Sequence, residues 1–433
     1  MRERGRPIAE TPRPAMREHG RYAAIEFLTW LPTGLMLAPM VLLMAGRGLD
    51  IAEIGLVTAA YSVTVVVLEL PTGGLADVLG RRAVLAASAV VAVAALAVMA
   101  LAHSAWAFLI ASVLKGVSRA LSSGPAQAWY VDTLHERHGP DADLKPGLAA
   151  GNVAGSAALA IGTLAGGLLP LAVRRDPLAA PVWAAAGAAV VLLVAVLVLM
   201  REPGRTARGP ARAARLTAAV RDVPVTIAGG VRIGLADRGL GRLLLVAVAG
   251  GVLLNTIEML TPGRLAEVTG RAETGGAAYA LVTFAGFAAN ALGSSLAPVA
   301  ARLARGSVRA AVLATVVVAA AAAALAASVA LRGWAAIAAA AAAYVVLFTA
   351  LAVASLLRTE LVHRRVAADR RATVMSVDSL QLQFGGMLSS LCLVPLAGVT
   401  GAGPVWALTA VVVLASALLY VRLPAGPTLG NLR

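Results

Sequence analysis

The chain has 433 residues, of which 59% are hydrophobic and only 14% are charged, and its mean hydropathy is +0.83. A soluble domain usually carries about 25% charged residues, so composition excludes a soluble globular protein. The net charge of +15 would suit nucleic-acid binding, but the positive residues lie between apolar blocks and not on one soluble face. Nucleic acid is therefore not an expected partner, and an all-α membrane protein is predicted.

Apolar blocks of about 20 residues, each long enough to cross a bilayer as a helix, follow one another along the chain. The longest polar stretch, at 201–239, separates six of them from six others. This layout predicts two pseudo-symmetric bundles of six helices, at 23–200 and 240–422, between a basic tail at 1–22 and a short tail at 423–433. The twelve predicted spans are 23–45, 52–75, 83–102, 105–131, 148–172, 179–200, 240–262, 274–298, 308–331, 333–357, 373–398 and 402–422.

Lysine and arginine are distributed unevenly between the two sides of these spans. With both termini in the cytoplasm, 29 of the 37 lie in the tails and cytoplasmic loops, and six lie in the outer loops. The remaining two, Lys115 and Arg119, fall inside span four. Positive residues are enriched in cytoplasmic loops. The count predicts a multi-pass protein of the cytoplasmic (inner) membrane with both termini inside. The linker at 201–239 is predicted to contain an interfacial amphipathic helix from Thr226 to Leu240, although an ordinary loop fits it almost as well.

A glycine-rich charged motif joins the second and third spans. It reads Gly73-Gly74-Leu75-Ala76-Asp77-Val78-Leu79-Gly80-Arg81-Arg82. Glycines let two helices approach and let a short loop turn tightly, and an aspartate beside an arginine pair can form charge-assisted hydrogen bonds. The motif resembles the signature that the major facilitator superfamily carries after its second span, except that Val78 stands where the family often has a basic residue.

Two further segments extend this resemblance. The stretch from Ser123 to Asp132 is similar to the end of span four in drug-exporter-like members, and Arg371 to Ser376 resembles the start of span eleven in the family. By that resemblance, Asp132 would lie beside Asp77 and Arg81 on the cytoplasmic side. The cytoplasmic gate that the resemblance implies consists of Gly74, Asp77, Gly80, Arg81, Arg82, Asp132 and Arg371.

Glycines in span five bear on the direction of transport. Gly155 and the run from Gly162 to Gly167 are similar to the antiporter motif of the family, but Thr163 replaces its proline and the first spacing differs. Close helix packing explains the same glycines without reference to transport. The resemblance therefore implies export only through this motif.

Ionisable side chains inside a span cost about 2.5–3.5 kcal/mol at a helix centre, so each is a functional candidate. Glu26, Glu69 and Glu258 are predicted as proton-coupling acids. The alternatives are an interfacial position for Glu26, pairing with the Arg81 region for Glu69 and polar helix packing for Glu258. Lys115 and Arg119 lie one turn apart on one face of span four. Together they favour an anionic substrate or acidic partners such as Glu26 and Glu69.

Polar residues in spans seven and eleven complete the candidate site. Asn255 and Glu258 are three residues apart and share one helix face, so both are expected to line a cavity. Asp378, near the start of span eleven, is expected to pair with Arg371. The predicted substrate-cavity residues are Arg119, Lys115, Trp30, Asn255, Asn290 and Gln381.

Enzymatic function is not predicted, because the chain has no phosphate-binding loop and no cluster of histidines and cysteines. No metal or cofactor is expected. The prediction is a secondary active transporter that moves a small molecule by alternating access. The resemblance implies proton-coupled efflux of drug-like or secondary-metabolite compounds, as in a multidrug antiporter. A proton-coupled importer and a non-transporting membrane sensor are the alternatives. The expected partners are a small-molecule substrate, protons and the lipid bilayer, and the protein is expected to be a monomer.

Overall fold

The structure, a computed structural model, describes residues 13–139, 141–201, 237–366, 371–421 and 423. Side chains at 13–15, 70–74, 77, 78 and 371–373 lie outside the description. Nearly all described residues are helical, and no strand occurs among them.

The helices before residue 202 are numbered in chain order. They are α1 (Arg13–Leu37), α2 (Pro39–Gly46), α3 (Ile51–Leu79), α4 (Arg81–Leu101), α5 (Ala105–Ser122), α6 (Pro125–His138), α7 (Lys145–Ala172) and α8 (Ala180–Leu199). Those after residue 236 are α9 (Arg238–Thr269), α10 (Ala272–Leu303), α11 (Ser307–Ala327), α12 (Gly333–His363), α13 (Arg371–Leu388), α14 (Val394–Thr400) and α15 (Ala402–Ala417). A π-helical turn, Ser389–Leu393, joins α13 to α14.

Within the described residues, eleven helical stretches are long and apolar enough to cross a membrane, and the bent pair α1–α2 makes a twelfth. The pair bends by 45° just before Pro39, which lacks the N–H of a helical hydrogen bond. Helices α5 and α6 form one span that breaks at Gly124, whose φ of +94° suits only glycine well. The predicted fold class, an all-α membrane protein of twelve spans, is confirmed.

The first helix begins at Arg13, ten residues before the span predicted from residue 23. Glu18 explains part of this extension, because it is only 2% exposed and accepts a hydrogen bond from Arg137 at the end of α6, at 2.7 Å. The helix therefore begins within the predicted tail at 1–22. Most of the predicted interfacial helix and nearly all of the predicted C-terminal tail lie outside the described residues.

The two halves repeat one packing scheme. In each half the first span packs along the fifth, and the third span packs against the fourth and the sixth. A single cluster of buried apolar side chains crosses from one half to the other, with Met36 and Leu43 on one side and Leu253 and Ile257 on the other. This repetition of helix contacts is consistent with two pseudo-symmetric bundles.

Two close contacts between the halves lie at the face opposite the start of α1. We call this the far face and the other the terminal face. On Gly167 of α7, a Cβ atom would lie 2.2 Å from the Cβ of Ala280 on α10. On Gly55 of α3, it would lie 2.4 Å from the carbonyl oxygen of Ser390. Only glycine permits such approaches, so these positions close the bundle at the far face.

Candidate functional site

A cavity of about 270 Å³ lies between the halves. Helices α1, α2, α3 and α5 line it from the first half, and α9 and α13 line it from the second. Its charged and amide side chains are Lys115, Asn255, Glu258 and Gln383. Hydroxyl groups of the first half, including those of Tyr61 and Ser112, also face it. A site that both halves share is placed where their relative movement would expose it to either side in turn.

Lys115 enters this cavity from α5. Its ammonium nitrogen lies 5.1 Å from the centre of the Tyr61 ring and 3.5 Å from the sulfur of Met40. The ring face attracts a cation, and the attraction strengthens where water is excluded. No carboxylate of the described residues lies within ion-pair distance of Lys115.

Glu258 enters the same cavity from α9, in the opposite half. Among the described residues it has neither a hydrogen-bond partner nor a direct ion pair, and its charge interacts with that of Lys115 across the cavity. Asn255, one turn earlier, accepts a hydrogen bond from Ser390 at 3.1 Å. Ser390 belongs to the π-helical turn, an irregularity that is frequent at functional sites.

A smaller cavity of about 70 Å³ adjoins the central one within the first half. The guanidinium carbon of Arg119 lies 4.6 Å from the centre of the Trp30 ring on α1. Glu26, on the same helix, interacts electrostatically with Arg119. The structure therefore brings three predicted site residues together here. Lys115 lines this smaller cavity together with Arg119, but of the two only Lys115 also lines the central cavity.

Glu69, the third predicted coupling acid, lies on α3 and faces the break in span four. Its carboxylate accepts a hydrogen bond from Ser123, just after the end of α5, at 3.4 Å. Glu69 is not among the described lining of the central cavity. Asn290 and Gln381 are also outside that described lining, whereas Gln383 belongs to it. Residues that are two positions apart on a helix point about 200° away from each other. Gln381 and Gln383 therefore point in nearly opposite directions.

Part of the predicted gate is assembled at the terminal face. The Arg81 Nε donates to the Asp132 carboxylate at 2.8 Å and joins α4 to α6. Arg82 donates to the carbonyl oxygen of Leu197 on α8. Gly80 adopts a φ of +99°, which glycine tolerates best. These contacts tie helices of one half together. The side chains of Asp77 and Arg371, and the surroundings of Gly74, lie outside the described residues.

The second half contains an arrangement similar to that of Gly80, Arg81 and Asp132, which the sequence of its loop does not predict. Gly306, with a φ of +149°, precedes α11 as Gly80 precedes α4. Ser307 then donates to the Glu360 carboxylate on α12 at 3.1 Å. In both halves, the residue after the glycine bonds an acid of the next span. The loop from Ala297 to Arg309 contains no acid, so the counterpart is visible only when the helices are placed together.

Asp378 pairs with Arg358 on α12, which corrects the expected pairing with Arg371. The contact is bidentate, with one Nη2–Oδ2 distance of 2.9 Å, and the two side chains are only 12% and 13% exposed. The predicted span at 333–357 ends at the last residue of the apolar run and so places Arg358 in a loop, but the helix continues to His363. Arg358 lines a cavity of about 180 Å³ within the second half.

Two six-helix halves around a shared, partly polar cavity define a multi-pass membrane transporter of small molecules. The model of the Major Facilitator Superfamily matches residues 23–390, and the chain belongs to that superfamily. Membership indicates a transporter rather than an enzyme. No protein of curated function matches the sequence.

Solved structures share the fold at low sequence identity. The nucleoside transporter NupG is 14% identical with a TM-score of 0.75, over 94% of this chain and 98% of that one. The human organic anion transporter MFSD10 is 17% identical with a TM-score of 0.60, over 95% and 100%. A bacterial homologue of the human drug peptide transporters PepT1 and PepT2 is 13% identical with a TM-score of 0.65, over 94% and 98%. At these identities the likeness concerns the fold alone.

Proposed function

We propose that the protein is a proton-coupled secondary transporter that moves a small molecule by alternating access. The observation that carries the proposal is the central cavity, which both halves line and which holds an acid, Glu258, and a base, Lys115. Rocking of the halves about such a site would open it to each side in turn. The conformation closed at the far face corresponds to one of the two states that this mechanism needs.

Glu258 is the coupling acid that we favour, with Glu26 and Glu69 as further candidates. A carboxyl group that lines the cavity can exchange its proton with whichever side the cavity faces. Protonation would remove the negative charge that interacts with Lys115. A charge that differs between the two conformations shifts their equilibrium, which is what coupling requires.

We further propose export of drug-like or secondary-metabolite compounds from the cytoplasm, by a monomer in the cytoplasmic membrane with both termini inside. The glycines of α7 support export only weakly, because they also serve packing. A Cβ on Gly166 would lie 2.0 Å from the carbonyl oxygen of Leu35 on α1. Import of a small polar solute is the second candidate, which the amide and charged groups of the cavity favour.

Proteoliposomes with an imposed pH gradient test the proposal. Addition of a transported solute should produce a proton flux that an enclosed pH dye records, and the sign of the flux separates export from import. The Glu258→Gln variant should lose dependence on the gradient while it still exchanges solute across the membrane. Glu267→Gln, whose carboxylate is 71% exposed at the far face, is the matched control. Unchanged proton coupling in Glu258→Gln would remove Glu258 from this role and move attention to Glu69→Gln and Glu26→Gln.

We also propose that Gly74, Asp77, Gly80, Arg81, Arg82, Asp132 and Arg371 form the gate at the terminal face. The Arg81–Asp132 bond supports this role, because it holds α4 against the end of span four. Asp77→Asn should abolish transport at normal expression, and Asp132→Asn should reduce it severalfold. Glu136→Gln, an exposed acid on α6, should have no effect. Wild-type transport by Asp77→Asn would remove the gate proposal.

A further inference from the structure

The central cavity presents one positive and one negative side chain, and they come from opposite halves. Lys115 projects from α5 and Glu258 from α9. Within the described residues, the ammonium group contacts only the Tyr61 ring and the Met40 sulfur, and the carboxylate has no hydrogen-bond donor. The two charges interact across the space but form no direct ion pair. Each therefore has room for a partner of opposite charge.

A ligand with a single charge would pair with only one of the two charged side chains in this cavity. An anion would pair with Lys115 and leave Glu258 without a partner, and a cation would do the reverse. An unpaired charge inside a membrane protein is costly. An uncharged apolar ligand would displace water from both groups and replace none of its hydrogen bonds. A molecule that carries both charges compensates both side chains at once.

The other charged groups nearby lie outside the described lining of the central cavity. The nearby Arg119 lies over the Trp30 ring in the adjoining cavity, with Glu26 beside it. Glu69 contacts Ser123 at the break in span four. None of these groups is among the described lining of the central cavity. Its described acid and base therefore sum to zero net charge.

We propose that the central cavity binds a small zwitterion, with the anionic group at Lys115 and the cationic group at Glu258. The inference rests on the transport function proposed above and narrows its substrate from drug-like or secondary-metabolite compounds to small zwitterions. Asn255 and Gln383 offer amide hydrogen bonds beside the two charges. The volume of about 270 Å³ lies just below the usual range of about 300–1,000 Å³ for sites of drug-sized ligands, so the zwitterion is small. A zwitterion touches both halves, so its binding depends on their relative position.

Matched probes test the need for both charges. Phenylalanine, δ-aminovalerate and alanylphenylalanine are each compared with their methyl ester, which is only cationic, and their N-acetyl derivative, which is only anionic. The full chain in detergent is titrated with each probe, and thermal stabilisation reports binding. At least one zwitterion should bind about tenfold more tightly than both of its derivatives, the loss expected for one charge-assisted bond. If every zwitterion binds no better than its derivatives, the inference is overturned.

Two substitutions give opposite changes of preference that a purely structural role would not. Lys115→Met should remove the advantage of the zwitterion over the methyl ester, because only the negative side chain remains. Glu258→Gln should remove its advantage over the N-acetyl derivative. Lys145→Met, at the other lysine of the sequence, and Glu267→Gln are the matched controls and should keep the wild-type order. An equal loss for all three probe types would overturn the inference.

The double variant Lys115→Met/Glu258→Gln guards against misfolding of the single variants, since it leaves no unpaired charge. It should fold and bind without any preference for the zwitterion, and a retained preference would overturn the inference. Proton-driven flux of a singly charged solute, without zwitterion preference, would overturn the inference and leave the transport proposal standing. Zwitterion binding without gradient-driven flux would overturn the transport proposal and leave the zwitterion-binding inference standing.

Discussion

Arg358 illustrates how a single residue can be misassigned by hydropathy. It follows directly after the apolar run of span ten and so reads as a positive loop residue. In the structure it remains helical and meets Asp378 of α13 through two hydrogen bonds. An arginine within a spanning helix needs such a partner. The identity of the partner depends on how α12 and α13 pack, which local sequence does not contain.

Breaking this pair should destabilise the second half strongly. Asp378→Asn leaves the guanidinium group largely buried without its negative partner, and the expected loss is about 3–5 kcal/mol. Thermal unfolding in detergent measures it. Glu267→Gln breaks an ion pair whose acid is 71% exposed, and it should cost less than about 1 kcal/mol.

Replacement of both partners separates pairing from size. Arg358→Met/Asp378→Leu removes both charges and should recover much of the lost stability, because no buried charge is left alone. A double variant no more stable than Asp378→Asn would contradict the proposed origin of the effect.

At the scale of elements, glycines decide how closely the halves approach. Gly167 of α7 lies against Ala280 and the carbonyl oxygen of Gly276 on α10, and Gly55 lies against Ser390. Periodic glycines are visible in the sequence, but their contacts are not. Gly162 and Gly166 face Gly34 and Leu35 within the same half, whereas Gly167, one residue later, faces the other half.

Gly167→Leu should disfavour the conformation that is closed at the far face. A side chain there collides with Ala280 and must push α7 and α10 apart. In a Cys392→Ala background, a cysteine at Ser112 of the cavity reports access from the far face, and its labelling by an impermeant maleimide should accelerate severalfold. Gly187→Leu is the control, since nothing lies within 4 Å of a Cβ at that glycine. Equal labelling rates in the two variants would contradict the assignment.

At the scale of the whole molecule, the positive residues predict the orientation in the bilayer. The terminal face carries most of the arginines, and such residues stay on the cytoplasmic side. Orientation is thus a prediction from the sequence. The two halves could be placed in either orientation without changing their packing.

Cysteine labelling in cells tests this orientation. In the Cys392→Ala background, Arg175→Cys at the far face should react with an impermeant maleimide from outside. Glu136→Cys at the terminal face should react only after the membrane is permeabilised. Both native side chains belong to exposed residues. The reverse pattern would invert the topology and with it the proposed direction of transport.

The sequence by itself determined that the chain crosses a membrane as helices in two sets of six, because apolar length and the spacing of polar loops are local properties. It also indicated the superfamily, through the motif from Gly73 to Arg82. Among the candidate residues it singled out Lys115, Asn255 and Glu258, since polar groups are rare within spans. Helix ends were less well predicted, as Glu18 and Arg358 show, because buried ion pairs extend helices beyond their apolar runs.

Only the tertiary structure decided which polar groups meet. It set Lys115 and Glu258 on opposite sides of one cavity, held Arg119 over Trp30, and joined Asp378 to Arg358. Helical periodicity specifies which residues share a face, but not which face of another helix lies opposite. That choice depends on close packing of glycines and apolar side chains far apart in the chain, and it places the two charges that define the candidate site.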